Sequence, residues 1–256
     1  MLTLDSGACV RCGSCVLVCP VGLFVRSAGE VIHYFSGKSE QCIHCGHCYA
    51  VCQVQAITLD GVRDLSAMET LRLDAQQRDM LFRGRRSVRI FRKEPVPESV
   101  LCEALRDASY APTGGNAQNV EWILVNESER IRAIVSQTAA WLRREANPRY
   151  ARYVEAYDAG HDAILRDAPQ AVFAHTPADW KWGAQDATGA ITYLDLSLHT
   201  RGVGTCWTGL VIAAANANAV PALRVPEGRH VYGGLMVGYP AVPFVRIPPR
   251  KDVRVQ

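Results

Sequence analysis

The chain has 256 residues, which is long enough for two domains, at least one of them with a substantial hydrophobic core. Hydrophobic residues make up 48% of it and charged residues 21%, the ordinary composition of a soluble globular protein. The net charge of +3 is too small to indicate binding to nucleic acid or to an acidic membrane surface. No apolar run approaches the roughly 20 residues of a membrane-spanning helix, so we expect neither nucleic-acid nor membrane partners.

Eight of the ten cysteines form two runs with the same spacing, C-x2-C-x2-C-x3-C, near the start of the chain. Each position of the second run lies 33 residues after its counterpart in the first, so the segment is an internal repeat. Such dense thiolates are typical of iron–sulfur proteins, in which three cysteines of a run hold one [4Fe–4S] cluster and the fourth reaches the other cluster. The predicted ligands of the first cluster are Cys9, Cys12, Cys15 and Cys52. Those of the second are Cys42, Cys45, Cys48 and Cys19.

Two other uses of these cysteines fit the spacing less well. A zinc ribbon pairs two C-x-x-C knuckles across a long spacer rather than placing four cysteines within eleven residues. A disulfide framework belongs to secreted chains, and the first five residues carry no secretory signal. Residues 1–62 resemble the bacterial two-cluster ferredoxins, with one departure at Gln53, where the first run has Pro20. The two remaining thiols, Cys102 and Cys206, suit a reducing cytoplasm, which is the predicted location.

Beyond residue 62, hydrophobic periodicity predicts a mixture of helices and strands. Helices are predicted over residues 64–83, from Pro95 to Tyr110, and over 129–145, 150–166 and 184–200. Buried strands are predicted over residues 121–126, 170–175 and 230–239. The first of these helices lacks the Gly, Ser and Pro runs of a flexible linker, so we expect it to connect two domains. The last is apolar almost all round, which predicts either a central buried helix or a subunit interface.

Two later segments carry side chains that suit a bound ligand, and a third carries closely spaced glycines. Residues 85–92 include four arginines, which suit a phosphate but are more often a solvated face, and the spacing alone does not decide. Loop 110–118 contains Asn116 and Gln118, whose amides offer paired donors and acceptors that a simple helix stop does not explain. Segment 202–209 follows a helix and lacks the third glycine of a dinucleotide fingerprint, so no Rossmann site is predicted.

Four separated segments resemble, in this order, the FMN-binding motifs of the nitroreductase family: Arg85–Phe91, Ala111–Gln118, Gly202–Gly209 and Pro249–Lys251. Together with the cysteine repeat, the whole chain resembles the ferredoxin-fused nitroreductases. The resemblance implies an α+β fold, with a small ferredoxin-like domain joined to an FMN-binding domain whose antiparallel-rich sheet is flanked by helices. It also implies a homodimer with FMN at each of two interfaces. The expected divisions are a cluster domain over residues 1–62, a connecting helix over 63–82 and an FMN domain over 83–256.

The resemblance also implies roles for single residues. Contacts to the phosphate and ribityl chain match Arg85, Arg86 and Arg250, with Lys251 as a helper. Contacts near the pyrimidine edge of the flavin match Ser87 and Arg89, and Arg89 would stabilise the negative charge of reduced flavin. The loop from the other subunit matches Pro112, Thr113, Gly114, Asn116 and Gln118. The segment whose backbone N–H groups face the flavin matches Cys206, Trp207, Thr208 and Gly209. Asp186 lies at a recurrent family position, but sequence reasoning assigns it no role.

These parts predict an FMN-dependent oxidoreductase. Electrons would pass from a low-potential donor such as ferredoxin through the chain's own clusters and FMN to an electron-poor planar substrate, such as a nitroaromatic, quinone or activated alkene. Two alternatives stay open: an electron-carrier module without a small-molecule substrate, and a flavin-consuming or dehalogenating relative. The length of the second domain favours an enzyme, because a carrier needs no flavin pocket. The substrate, the physiological donor, the use of NAD(P)H and the direction of electron flow are not readable from the sequence.

Overall fold

A computed structural model of the chain describes residues 2–27, 32–62 and 72–256. It divides into two compact units, Met1–Arg72 with Gly115–Ala117, and Leu73–Gly114 with Gln118–Gln256. Within the described ranges, no helix combines the length and the apolar character needed to cross a membrane.

The strands of the first unit form two short antiparallel pairs. β1 (Leu2–Leu4) pairs with β4 (Ile57–Leu59), and β2 (Phe24–Arg26) pairs with β3 (Ile32–Tyr34). The largest fully buried side chains between them are Leu23, Phe24 and Ile57. A core this small stabilises a fold weakly, so ligation of the cysteines should contribute much of the stability of this unit.

The two helices of the first unit repeat one local structure. α1 (Ser14–Val18) and α2 (His47–Val51) occupy equivalent positions of the 33-residue repeat. Each follows a glycine in the left-handed region, Gly13 at φ 81° and Gly46 at φ 72°. Glycine adopts this conformation without the strain that a Cβ atom causes. The repeat in the cysteine spacing is therefore also a repeat in the backbone.

The second unit is organised around a four-stranded sheet. Its strands are β5 (Glu121–Val125), β6 (Gln170–Pro177), β7 (Gly204–Trp207) and β8 (Arg229–Gly238), in the spatial order β5-β6-β8-β7. Every neighbouring pair is antiparallel. All residues of β6 except Pro177 are buried, so this strand is central. The antiparallel sheet that the family resemblance implied is confirmed.

Helices cover both faces of this sheet. They are α4 (Glu98–Ala108) and α7 (Gly183–Thr200) in one core, and α5 (Ser128–Glu145) and α8 (Gly209–Asn216) in the other. Val172 and Phe173 are neighbours in β6 but belong to different cores, because successive side chains of a strand point to opposite faces. The second unit therefore has three layers, helix, sheet and helix. Its sheet is antiparallel, which places the domain in the α+β class.

The predicted connecting helix is observed in part. α3 spans Ala75–Phe82 and begins at a capping box, in which Asp74 and Gln77 each bond the other's backbone N–H. Residues 63–71 of the prediction lie outside the described part of the chain. The helix groups with the second unit.

The predicted helix over residues 150–166 is wrong beyond Asp158. The observed helix α6 spans Ala151–Asp158, and the chain turns at Gly160, which has φ 82°. The carboxylate of Asp162 then accepts hydrogen bonds from the backbone N–H groups of the following residues Ile164, Leu165 and Asp167. These bonds hold a loop because they replace the backbone acceptors that a continuing helix would use.

The helix predicted to be apolar all round has two different faces. In α7, Leu194 and Leu198 are fully buried, whereas Tyr193 is 44% exposed. Within one chain the helix is therefore not buried on every side, which corrects the central-helix alternative and leaves the subunit-interface alternative as the prediction.

Candidate functional site

Four cysteines line one cavity in the first unit. Cys9, Cys12, Cys15 and Cys52 surround an empty volume of about 440 Å³. The fold thus brings a cysteine of the second run to three of the first, the crossed arrangement that was predicted for the first cluster. Among the described residues no three candidate ligands converge closely enough to hold a single metal ion. Thiols spread around a cavity suit a multi-iron cluster, and the ligand assignment stays a prediction.

The second predicted ligand set is grouped around Cys48. Burial, and then the negative charge of the nearby Cys19, Cys45 and Cys42 thiolates, raises the pKa of Cys48 to about 11. The isolated thiol therefore keeps its proton at neutral pH, and iron has to displace that proton on binding. A bound cluster would supply the positive metal charge that four crowded thiolates need.

Backbone N–H groups donate to the two cysteines predicted to cross between the clusters. Leu23 N–H lies 3.3 Å from Cys19 Sγ, and Ala56 N–H lies 3.2 Å from Cys52 Sγ. Both bonds join residues four apart, at equivalent positions of the repeat. Hydrogen bonds to ligand sulfur stabilise the more negative, reduced state of a cluster and so raise its reduction potential.

In the second unit, arginines from distant segments meet around a cavity of about 900 Å³. It is lined by Arg85 and Arg86, by Arg250 of the C-terminal segment and by Arg83. Partial burial lowers the pKa of Arg86, and the positive charges of Arg250 and Arg85 lower it further. The described residues that line this cavity include no carboxylate. These guanidinium groups repel one another, so an anion between them would be stabilising.

Asp195 of α7 holds one of these arginines. Asp195 Oδ2 lies 3.3 Å from Arg85 Nη1, and Oδ1 accepts a hydrogen bond from the hydroxyl of Thr205 in β7. The Thr205 carbonyl in turn accepts from Val88 N–H at 2.8 Å. Because Asp195 is only 8% exposed, water weakens the Arg85 contact less than at the surface. Asp195 therefore fixes Arg85 at the edge of the arginine cavity.

A further cavity, of about 830 Å³, is lined by the other predicted flavin contacts, namely Arg89, Cys206, Trp207, Thr208 and Gly209. β7 ends at Trp207, and α8 begins at Gly209. Thr208 N–H donates to the Gly234 carbonyl at 3.0 Å, which ties this corner to β8. The Thr208 hydroxyl is buried and has no hydrogen-bond partner among the described residues. A buried polar atom without a partner is rare, and a bound ligand would supply one.

Asp186 supports the loop at residues 112–118. Its buried carboxylate accepts from Gly114 N–H at 2.9 Å and from Trp180 Nε1–H at 2.7 Å. A Cβ atom on Gly114 would lie 2.5 Å from the indole ring of Trp182, so the close approach requires glycine. Sequence reasoning assigned Asp186 no role, and the structure shows that it fixes the start of this loop.

The structure does not bring all predicted contacts together within one chain. The loop residues Pro112, Thr113, Gly114, Asn116 and Gln118 line neither the arginine cavity nor the Thr208 cavity. Asn116 belongs to the first unit, where its amide donates to the Ile43 carbonyl at 2.9 Å. Lys251 is exposed and does not line the arginine cavity, and Ser87 forms a backbone bridge with Thr205. The resemblance assigns the loop to the other subunit, so its role stays a prediction.

Sequence reasoning missed several residues that line these cavities, and it missed Asp195, which holds Arg85 in place. Tyr150, Tyr153 and Arg166 line the Thr208 cavity, and they come from the segment predicted as one helix. No motif marks them. Asp195 carried a usable signal, since a carboxylate between leucines on a largely apolar helix predicts a specific buried partner.

Comparison with known proteins gives matches to both parts of the chain. Residues 82–239 match the model of the nitroreductase family, and residues 8–57 match the 4Fe-4S dicluster domain. A 5,6-dimethylbenzimidazole synthase from Rhodospirillum rubrum is 30% identical over 177 residues, which cover 63% of this chain and 81% of that protein.

Solved structures share the fold of the second part. A nitroreductase with bound FMN from Bacteroides fragilis aligns with a TM-score of 0.57 and 22% identity, over 68% of this chain and 92% of that one. Iodotyrosine deiodinase bound to FMN and 3-iodo-L-tyrosine aligns with a TM-score of 0.53 and 23% identity, over 69% of this chain and 96% of that one.

Proposed function

The chain belongs to the nitroreductase family and carries an N-terminal 4Fe-4S dicluster domain, and from this premise we propose that it is an FMN-dependent oxidoreductase supplied with electrons by its own clusters. Its proposed substrates are electron-poor planar molecules such as nitroaromatics, quinones or activated alkenes. We assign the cluster domain to residues 1–62, the connecting helix to 63–82 and the FMN domain to 83–256. The proposed donor is a low-potential protein such as ferredoxin, in the cytoplasm.

The observation that carries this proposal is the arginine cavity. Arg85 and Arg86 from one motif and Arg250 from another were predicted as contacts to the phosphate and ribityl chain, and all three line the same cavity. Guanidinium groups bind phosphate through paired, charge-assisted hydrogen bonds. Burial, and then the positive charges of Arg250 and Arg85, lowers the pKa of Arg86, and a phosphate dianion would offset both by stabilising the charged guanidinium. Residues around Arg89 and Thr208 would then hold the ring system of FMN.

Bound FMN would supply the link between one-electron carriers and a two-electron acceptor. The eight cysteines would hold two clusters, each passing one electron. Converting a nitro group to a nitroso group consumes two electrons and two protons and releases water. Arg89 carries a permanent positive charge that stabilises a nearby negative charge, but a guanidinium does not donate its proton at neutral pH. The protons would therefore come from solvent.

The chain is proposed to act as a homodimer. The exposed side of α7, which includes Tyr193 and Thr192, offers a surface for a second copy. The loop residues that were predicted to come from the other subunit do not line either cavity within one chain. Light scattering of the native protein tests this. A monomer that retains FMN in a one-to-one ratio would refute the interfacial site.

The test of the function is analysis of anaerobically purified protein, followed by turnover. We expect about eight iron atoms and one FMN per chain, and reduction of a nitroaromatic or a quinone by the reduced protein. Zinc with little iron, or protein that binds no flavin, would contradict the proposal. A protein that holds reduced FMN and passes electrons only to other proteins would be the electron-carrier module instead.

A second candidate is favoured by the similarity to the Rhodospirillum rubrum protein, whose name gives 5,6-dimethylbenzimidazole as its product. This product contains the same dimethyl-substituted ring as flavin, so flavin would be the substrate. Incubating the reduced, FMN-loaded protein with oxygen and analysing the products by mass spectrometry separates the two candidates. Stoichiometric loss of FMN with formation of the dimethylbenzimidazole would favour the second.

A further inference from the structure

The cavity around Thr208 has a positively charged and aromatic lining beyond the residues predicted to contact flavin. We propose that it selects an anionic planar acceptor, of the class of aromatic carboxylates, and that Arg166 binds the charged group of that acceptor. This inference rests on the proposed function, since it names the substrate class of the same site.

Among the described residues that line this cavity, no carboxylate balances its positive charge. Two arginines, Arg89 and Arg166, line it. Arg89 makes one long contact, from Nη1 to the Ser87 carbonyl at 3.4 Å. Arg166 forms no ion pair or side-chain hydrogen bond with any residue in the described ranges. With Arg89 assigned to the flavin, the guanidinium of Arg166 is available to pair with a carboxylate through two parallel hydrogen bonds.

Arg166 is held in place by its backbone. It has φ 58° and the next residue, Asp167, has φ 54°, a conformation that residues other than glycine seldom adopt. The three hydrogen bonds to the Asp162 carboxylate fix this loop, and the side chains of Ile164 and Leu165 are buried in the core. A strained conformation persists only where its surroundings determine it. The guanidinium therefore extends from a fixed point on the cavity wall.

Aromatic side chains give the cavity a preference for flat molecules. Trp207 is 42% exposed and lines the cavity with Tyr150 and Tyr153. The ring of Tyr150 lies 6.1 Å from the ring of Trp141 in α5, which restrains it. The Tyr153 hydroxyl accepts a hydrogen bond from Arg152 Nη2 at 2.8 Å, so its own proton is free to be donated. Aromatic faces, a hydroxyl donor and a guanidinium together match a planar acid.

Binding of benzoate and benzamide to the oxidised, FMN-loaded protein tests the inference by calorimetry. The two probes have nearly the same shape and differ in charge. We expect benzoate to bind at least about tenfold more tightly, Arg166→Gln to abolish this preference and Arg166→Lys to keep part of it. The matched control is Arg149→Gln, which removes the same charge from an exposed residue outside the cavity lining and should leave the preference unchanged.

A half-reaction extends the test to reduction. The protein is reduced with one equivalent of reductant, mixed with 4-nitrobenzoate or 4-nitrobenzamide, and followed at the flavin absorbance. Arg166→Gln should raise the half-saturating concentration of the nitrobenzoate about tenfold more than that of the nitrobenzamide. The inference would be overturned if benzoate and benzamide bound equally tightly, or if Arg166→Gln weakened the binding of both equally. It would also be overturned if Arg149→Gln reduced the preference for benzoate as much as Arg166→Gln does. A loss of FMN from Arg166→Gln as large as that from Arg250→Ala would overturn it as well. If the protein reduced 4-nitrobenzamide as well as 4-nitrobenzoate, this inference alone would be refuted. A protein that binds no flavin would refute the proposed function.

Discussion

Replacing Asp186 by asparagine isolates the support of the 112–118 loop. The carboxylate is 4% exposed and accepts two N–H groups, from Gly114 and Trp180. Asparagine has the same shape but one acceptor oxygen, so its NH2 group must face one of the two donors. A hydrogen bond to a charged group contributes about 1.5–3 kcal/mol, and a buried donor left unpaired costs about 1–3 kcal/mol. Because these two contributions overlap, we expect the free energy needed to open the loop at Gly114 to fall by about 2–4 kcal/mol.

Hydrogen exchange at the Gly114 amide measures this loss directly. A change of about 2–4 kcal/mol in the opening free energy corresponds to roughly 30- to 700-fold faster exchange. Asp179→Asn removes the same charge from an exposed residue nearby and should have little effect. Trp180→Phe removes one donor, so the double variant with Asp186→Asn should lose less than the sum of the single variants. Similar exchange at Gly114 in the Asp186 and Asp179 variants would refute this role.

Arg250→Ala should weaken FMN binding by about tenfold or more, because it removes a charge-assisted phosphate contact. Arg89→Ala should mainly lower the flavin midpoint potential; equilibrium dialysis and redox titration check both, and the reverse pattern would contradict the assigned roles. Gln170→Leu should lower the free energy of unfolding by about 2–4 kcal/mol in a urea titration. The buried Gln170 amide bonds both the N–H and the C=O of Val96, and leucine leaves both groups without a partner. Stability should also fall as the pH drops below about 6.5, the ordinary pKa of histidine. Burial, and then the charge of Arg229, lowers the pKa of His175, so the unfolded chain binds a proton that the folded chain excludes. Unfolding midpoints measured against pH should be flatter in His175→Gln, and an unchanged slope would contradict this cause.

Hydrophobic periodicity located those elements whose pattern has one clear period. The helix predicted over 129–145 is α5, and its apolar stripe faces the sheet. The pattern failed after Asp158, because side-chain bonds from Asp162 to the backbone end the helix and leave no trace in the spacing of apolar residues. β7 was not predicted, since a four-residue strand with three buried residues shows no alternation.

The two halves of the candidate site differ in how far sequence predicts them. Each run of predicted cluster ligands is compact in the sequence and has a recognisable spacing. That spacing predicted the crossed grouping in which Cys52 joins three cysteines of the first run. The arginine cavity depends on Arg250, which joins Arg86 only through the fold, and it was found through motifs that the family resemblance supplied. Arg166 was not predicted at all, because its direction follows from a positive φ and from the bonds to Asp162.

We propose that electrons reach FMN through the clusters of the same chain. Anaerobic stopped-flow at the flavin absorbance tests it, with reduced ferredoxin as donor and with NADH and NADPH for comparison. The comparison is between the intact protein, Cys42→Ala, and the control Cys102→Ala, which changes a cysteine outside both predicted ligand sets. We predict rapid flavin reduction by ferredoxin in the intact protein and in the control. In Cys42→Ala that reduction should be lost, while FMN stays bound and can still be photoreduced. Equally fast reduction by ferredoxin in Cys42→Ala, or much faster reduction of the intact protein by NADPH, would contradict the account.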